Sequence, residues 1–229
     1  FDSMINPLGL SSFCLLGALS SYNDTPETAS RPFDGSRNGF VLGEGSAFLV
    51  LESWEKAKAR GAKIYAELAG EGNTLSAYRI TDSHPNGDGA IQAIEGAIED
   101  AGLQPEDVDY INAHGTSTKM NDLSETNAIK AVFGELAYRL PVSSTKSQTG
   151  HLIAAAGAIE AVISVLAIQH ATVPMTKNQL SPDAACDLDY VAEGTREQAL
   201  GVVLSNSFGF GGSTSCLLFK HPEYEKGRT

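Results

Sequence analysis

Residues 150–170 constrain the fold of this chain more than any other stretch. Ala155, Ala156, Ala158, Ala161 and Ala167 alternate with Ile159, Val162, Ile163, Val165 and Ile168, which gives helix formers that are apolar on almost every side. A helix without a broad polar face needs cover, so the pattern predicts one long helix over 150–170 lying between layers. The run is expected to fall short of a membrane span, and no basic segment precedes an apolar stretch at the start of the chain.

Around this stretch the chain alternates between the two periodicities. Helices are expected over 7–20, 54–60, 89–101 and 123–133. Strands are expected over 39–51, 63–69, 108–113, 141–145, 188–192, 200–205 and 215–220. Strand–helix alternation implies an α/β sheet with parallel neighbours, and the last two strands read as an added antiparallel hairpin. The opening Phe1-Asp2-Ser3-Met4-Ile5-Asn6-Pro7 has neither an initiator methionine nor a polar lead-in, so a preceding portion is expected.

Charge limits the partners. Sixteen Lys and Arg stand against 28 Asp and Glu, a formal net charge of -12, which argues against a general affinity for nucleic acid. The run Lys56, Lys58, Arg60 and Lys63 is a candidate patch for an acidic partner. With Glu52 and Glu55 beside it, the favoured reading is a solvated helix face. Cys14, Cys186 and Cys216 are far apart and show no metal-ligand spacing, so no metal site is expected and a reducing, cytoplasmic setting fits. Cys14 and Cys216 lie in apolar stretches of the kind that bury cysteines.

Three stretches carry candidate chemistry. In Asn112-Ala113-His114-Gly115-Thr116-Ser117-Thr118, His114 would sit at the carboxyl end of a buried strand, the edge where α/β sheets place ligands. A lone histidine there is more often structural. In Ser143-Ser144-Thr145-Lys146-Ser147-Gln148-Thr149-Gly150-His151, His151 would occupy the first turn of the long helix. The helix dipole would keep its ring neutral there, able to donate to a developing oxyanion. Lys146 reads either as an exposed loop residue or as a group in the same crevice. In Asn206-Ser207-Phe208-Gly209-Phe210-Gly211-Gly212, dense glycine lets the backbone approach a ligand closely, although a tight turn has the same composition. Neither this stretch nor Gly70-x-Gly72 completes a dinucleotide-binding pattern.

Taken in order and at these separations, the three stretches resemble the β-ketoacyl-acyl carrier protein synthase family. Arg31-Pro32-Phe33-Asp34, Gly39-Phe40-Val41-Leu42-Gly43-Glu44-Gly45 and Arg60-Gly61-Ala62 add to the resemblance. It implies a thiolase-like fold, in which this chain is the carboxyl-terminal half of a five-layered αβαβα sandwich with a mixed sheet. Residues 1–60 would be the tail of the amino-terminal half, and 61–229 the carboxyl-terminal domain.

The implied reaction is decarboxylative Claisen condensation of malonyl-carrier protein with an acyl thioester, in fatty-acid elongation. No cofactor is implied beyond the phosphopantetheine arm of acyl carrier protein, which carries the substrates. Matched by position, His114 and His151 hold the malonyl thioester and its enolate. Lys146 orders the site, and Glu125 pairs with it. Thr116, Thr118 and Thr81 contact substrate, and Phe210, with Gly209 and Gly211, forms the gate and oxyanion turn.

The resemblance places the nucleophilic cysteine ahead of Phe1, so this polypeptide alone is expected to be inactive. Its implied partners are acyl carrier protein and the remaining half, with a homodimer when complete and no nucleic acid or membrane. A non-catalytic chain-length-factor-like protein and a decarboxylase-type ketosynthase are the alternatives. Departures from the family are Ser76-Ala77-Tyr78-Arg79-Ile80-Thr81 in the mobile loop, Ser213-Thr214 after the gate, and Lys119 where the family commonly has proline.

Overall fold

A computed structural model describes residues 1–225 of the chain. Helix α1 spans Pro7–Leu15, with the Asn6 side chain accepting from the Gly9 amide at 2.9 Å and proline in its first turn. It stops short of the expected residue 20, because Gly17 turns the backbone at φ 64°. Helix α2 spans Trp54–Ala59 and is followed by Gly61 at φ 69°. Arg60 bonds Glu52 at 2.7 Å and the Lys58 ammonium lies over the Trp54 ring, while Lys56, Lys58 and Arg60 are exposed on or just after α2, as the favoured reading of a helix face expects, and Lys63 lies beyond it.

The remaining elements alternate. They are β1 (Glu67–Leu75), α3 (Asp88–Asp100), β2 (Tyr110–Asn112), α4 (Lys119–Phe133), β3 (Val142–Ser143), α5 (Lys146–Thr149) and α6 (Ala156–His170). After these come β4 (Thr172–Val173), β5 (Arg196–Glu197), β6 (Val202–Phe208) and β7 (Ser213–Lys220). Five strands form one mixed sheet in the order β1-β7-β6-β2-β3. Strand β2 is parallel to both neighbours, pairing Asn112 with Ser143 and with Ser205. Strands β6 and β7 form the expected antiparallel hairpin, and β1 closes the far edge.

Alternation along the strands sends side chains to two cores. Val202, Leu204, Cys216 and Leu218 pack with Ile94 and Ala97 of α3 and Ile129 and Phe133 of α4. Val203 and Phe219 face the other way, against Ala161, Ala167 and Ile168 of α6. On the first side, glycine brings α3 close to β1. A Cβ on Gly72 would lie 1.9 Å from the Ala93 carbonyl oxygen.

Four expectations fail here. Residues 39–51 form no strand, only isolated bridges from Phe40 to Leu19, Leu42 to His151 and Gly45 to Asp2. Phe48 and Val50 are 87% and 94% exposed. Apolar alternation makes a buried strand only when neighbours flank it, and among the described residues none do. Residues 188–192 are also irregular. The Asp189 carbonyl accepts from Val142, but Val191 has φ 54° and turns the chain away. The strand expected over 63–69 begins only at Glu67. Cys14 is exposed, while Cys186 and Cys216 are buried.

The long helix is broken at its start. Gly150 (φ 71°) and Ile153 (φ 46°) interrupt the backbone, residues Ile153–Ala155 form a 3-10 turn, and the α-helix begins at Ala156. It is covered on one side by the sheet, with Leu166 43% exposed on the other. Residues Ile153–His170 do reach the length and hydropathy of a membrane-crossing segment, contrary to expectation. Glu160 within them is buried and ion-paired to Lys146, as suits a core helix.

Candidate active site

The parallel run of β3, β2 and β6 explains where the three sequence stretches meet. All three strands point the same way, so the segments leaving Asn112, Ser143 and Phe208 emerge at one edge of the sheet. They surround a cavity of about 570 Å³ lined by His114, Thr116, Thr118, His151, Gly209 and Phe210, with Thr81 contributed by the loop after β1.

The rings of His114 and His151 lie 5.4 Å apart, centroid to centroid, and are nearly perpendicular at 85°. An aromatic ring flanks each. Phe208 lies 5.1 Å from His114, and Phe40 lies 5.1 Å from His151. The His151 backbone is pinned into the bridge with Leu42: its amide donates to the Val41 carbonyl at 2.7 Å, and its carbonyl accepts from Gly43 at 3.0 Å. It therefore precedes the helix rather than occupying its first turn.

Hydrogen bonds fix the tautomers. The Ile153 amide donates to Nδ1 of His151 at 3.1 Å, which leaves the proton of a neutral ring on Nε2. Lys146 Nζ lies 3.3 Å from Nδ1 of His114. An ammonium has only donors, so that Nδ1 also accepts and Nε2 carries the proton. Burial, reinforced by the Lys146 charge, holds His151 down at about 3 and His114 well below the usual imidazole range. Two neutral N–H donors thus stand side by side at the edge of the sheet.

Lys146 is 1% exposed and sits behind the cavity. Its ion-pair partner is Glu160 on α6, not Glu125 as expected. Glu125 instead accepts from the backbone amides of His114 and Gly115, each at 2.8 Å, and from Asn206 Nδ2 at 3.0 Å. It ties the histidine loop to the end of β6. Burial raises its carboxyl to about 7, against the lowering effect of these bonds. Sequence reasoning missed Glu160, although a lone carboxylate in an otherwise apolar helix was the signal that marked it. It also did not assign Phe40 a role at the site.

The turn Gly209-Phe210-Gly211-Gly212 is fastened to the loop after β1. The Ser76 amide donates to the Gly212 carbonyl at 2.9 Å, and the Gly211 amide donates to the Ile80 carbonyl at 2.6 Å. Gly212 has φ 79°, and a Cβ there would fall 1.8 Å from the Ser76 oxygen, so glycine is required. Phe210 is 51% exposed at the cavity mouth, whereas Gly211 does not line the cavity. Thr116 and Thr118 share a hydroxyl–hydroxyl bond of 2.9 Å. None of the three cysteines lines the cavity.

Among the described residues no group of three or more His, Cys, Asp or Glu is placed to hold a metal ion. Asn112 Oδ1, Glu160 Oε2 and Asn206 Oδ1 are buried acceptor atoms without a hydrogen-bond partner there.

Residues 65–179 match the family described as Beta-ketoacyl synthase, C-terminal domain, and residues 1–57 match Beta-ketoacyl synthase, N-terminal domain. The chain is 54% identical over 219 residues to 3-oxoacyl-[acyl-carrier-protein] synthase 2 of Synechocystis sp., covering 96% of this chain and 53% of that protein. A protein of the same name from Coxiella burnetii is 53% identical over 212 residues, 93% of this chain and 51% of the relative.

Among solved structures, a ketosynthase complexed with a type II polyketide acyl-carrier protein superposes with TM-score 0.95 at 43% identity. The match covers 97% of this chain and 55% of that one. A β-ketoacyl synthase from Burkholderia phymatum gives TM-score 0.91 at 38% identity, over 96% and 53%. The thiolase-like ketosynthase fold is therefore that of this chain, which spans about half the length of the curated relatives it matches.

Proposed function

The chain belongs to the β-ketoacyl synthase family, and from that premise we propose that it forms the carboxyl-terminal part of a 3-oxoacyl-[acyl-carrier-protein] synthase. The observation that carries this reading is the pair of neutral imidazoles 5.4 Å apart beside a buried ammonium. In the proposed reaction the malonyl thioester carbonyl accepts from Nε2–H of His114 and of His151. The bond to the carboxylate breaks, carbon dioxide leaves, and its electron pair passes into the enolate those two donors hold. The enolate carbon then attacks the acyl thioester carbonyl. The new carbon–carbon bond forms as the thiolate leaves. Preorganised donors of this kind are worth ~3–4 kcal/mol each to the transition state.

Lys146, held by Glu160, keeps Nδ1 of His114 unprotonated and so keeps its donor facing substrate. Thr116, Thr118 and Thr81 bind the phosphopantetheine arm of acyl carrier protein, and Phe210 with Gly209 and Gly211 forms the gate. The nucleophile comes from residues outside this chain, in an amino-terminal half that ends near residue 60. A complete homodimer in the cytoplasm, using no cofactor beyond the carrier arm, belongs to the same reading. A non-catalytic scaffold has no need of two neutral donors and a buried lysine, which disfavours that alternative.

The test is incubation of the complete protein with acyl- and malonyl-carrier protein, followed by mass spectrometry. Expected products are 3-oxoacyl-carrier protein and carbon dioxide in equal amounts. Malonyl thioester recovered intact contradicts the reading.

A further inference from the structure

One stretch of chain runs from the catalytic rings to the cavity mouth. His114 and Thr116 are buried at 5% and 6% exposure, Thr118 is half-buried and Lys119 is exposed. All four line the cavity. An elongated ligand lying along them meets an imidazole at the buried end, a hydroxyl pair midway and an ammonium at the opening.

Lys119 stands apart electrostatically. Among the described residues it is the only lysine or arginine lining the cavity. Asp82, the only carboxylate there, is already 3.3 Å from Arg79. Among the described residues the Lys119 ammonium has no hydrogen-bond or ion-pair partner. Its backbone carbonyl accepts from Arg37 at 3.1 Å, which anchors the residue while leaving the side chain unengaged. In a chain of net charge -12, an anion approaching this opening is repelled in general and attracted locally, because screening confines both effects to about 8–10 Å.

We propose that Lys119 is a binding residue for the phosphate of the phosphopantetheine arm, pairing with it at the cavity mouth while the thioester end reaches His114 and His151. This rests on the reading that such an arm enters this cavity, and it adds a charge contact to the hydroxyl contacts of Thr116 and Thr118.

The experiment compares acetyl-phosphopantetheine with acetyl-pantetheine, alike except for the phosphate, by calorimetric binding to the complete protein. The unaltered protein should bind the phosphorylated probe about fivefold more tightly, the ~1 kcal/mol upper range of an exposed ion pair. Lys119→Gln should abolish that difference without changing affinity for the unphosphorylated probe, and Lys119→Arg should retain it. A phosphate preference that survives in Lys119→Gln overturns the proposal, as does its absence from the unaltered protein. Binding is read instead of turnover. A protein that shows the predicted preference yet releases no carbon dioxide from malonyl thioester would sink the condensing function and leave the Lys119 assignment standing.

Discussion

His151 owes its neutrality to burial beside Lys146, not to the helix end that its sequence position suggested. The sign of the consequence follows from proton counting. Below the ordinary imidazole value of 6.5 the unfolded chain takes up a proton that the folded ring, held at about 3, does not. The stability this group contributes is present above 6.5 and lost as pH falls towards 3. Glu125 acts oppositely. Raised to about 7, it keeps a proton that an unfolded carboxyl releases above 4.5, so its contribution is lost as pH rises through 7. Urea unfolding of the complete protein at about pH 6 and about pH 4.5 should show His151→Gln losing less stability than the unaltered protein, by up to ~1.4 kcal/mol per pH unit. Parallel losses would contradict the assignment. Lys146 offers a second residue-scale test. Lys146→Met leaves the Glu160 carboxylate buried without its partner and should cost ~3–5 kcal/mol in urea unfolding. Adding Glu160→Leu should recover much of it. A double variant no more stable than the single one would show that the pair is not the relevant contact.

At the scale of elements, a segment's pattern matches its structure where its packing partner lies within the chain. Helices α3 and α4 and strands β6 and β7 were legible because closing glycines and alternation there agree with the packing that forms, although α4 begins at Lys119 and not 123, where the Thr118 side chain accepts from the Asn121 amide. Residues 47–51 are the continuous apolar run of a buried strand but have no flanking strand among the described residues, and local pattern carries no record of what stands beside it. The start of α6 failed for a different reason. Apolar periodicity continues through Gly150 and Ile153, while the positive φ at both is imposed by the bridge between His151 and Leu42, a contact 109 residues long in sequence. Long-range contacts of that kind also hid the partner exchange in which Lys146 takes Glu160 and Glu125 takes the backbone of the histidine loop. Two glycines make element-scale predictions. Gly72→Ala drives a methyl into the Ala93 carbonyl and should cost at least ~1–3 kcal/mol in urea unfolding through overpacking of α3 on β1. Gly212→Ala should open the clasp between the gate turn and the loop after β1, seen as faster amide exchange at Ser76 and Gly211. Unchanged exchange there would show that the clasp does not hold the loop.

For the whole molecule, the resemblance carried by the His114, His151 and Phe210 stretches led to the right family and fold, because the sheet brings those stretches to one edge. It did not convey which buried carboxylate serves which partner. On the proposal that the nucleophile lies outside this chain, residues 1–229 alone should yield no 3-oxoacyl product from acyl- and malonyl-carrier protein, and condensation by that polypeptide would contradict it. The most direct test of the account is release of labelled carbon dioxide from malonyl-carrier protein by the complete protein and its His114→Ala and His151→Ala variants. The two donors acting on one enolate oxygen predict a fall of about 100- to 1000-fold in each variant, whereas release at the unaltered rate from either would show that the paired imidazoles do not perform the chemistry.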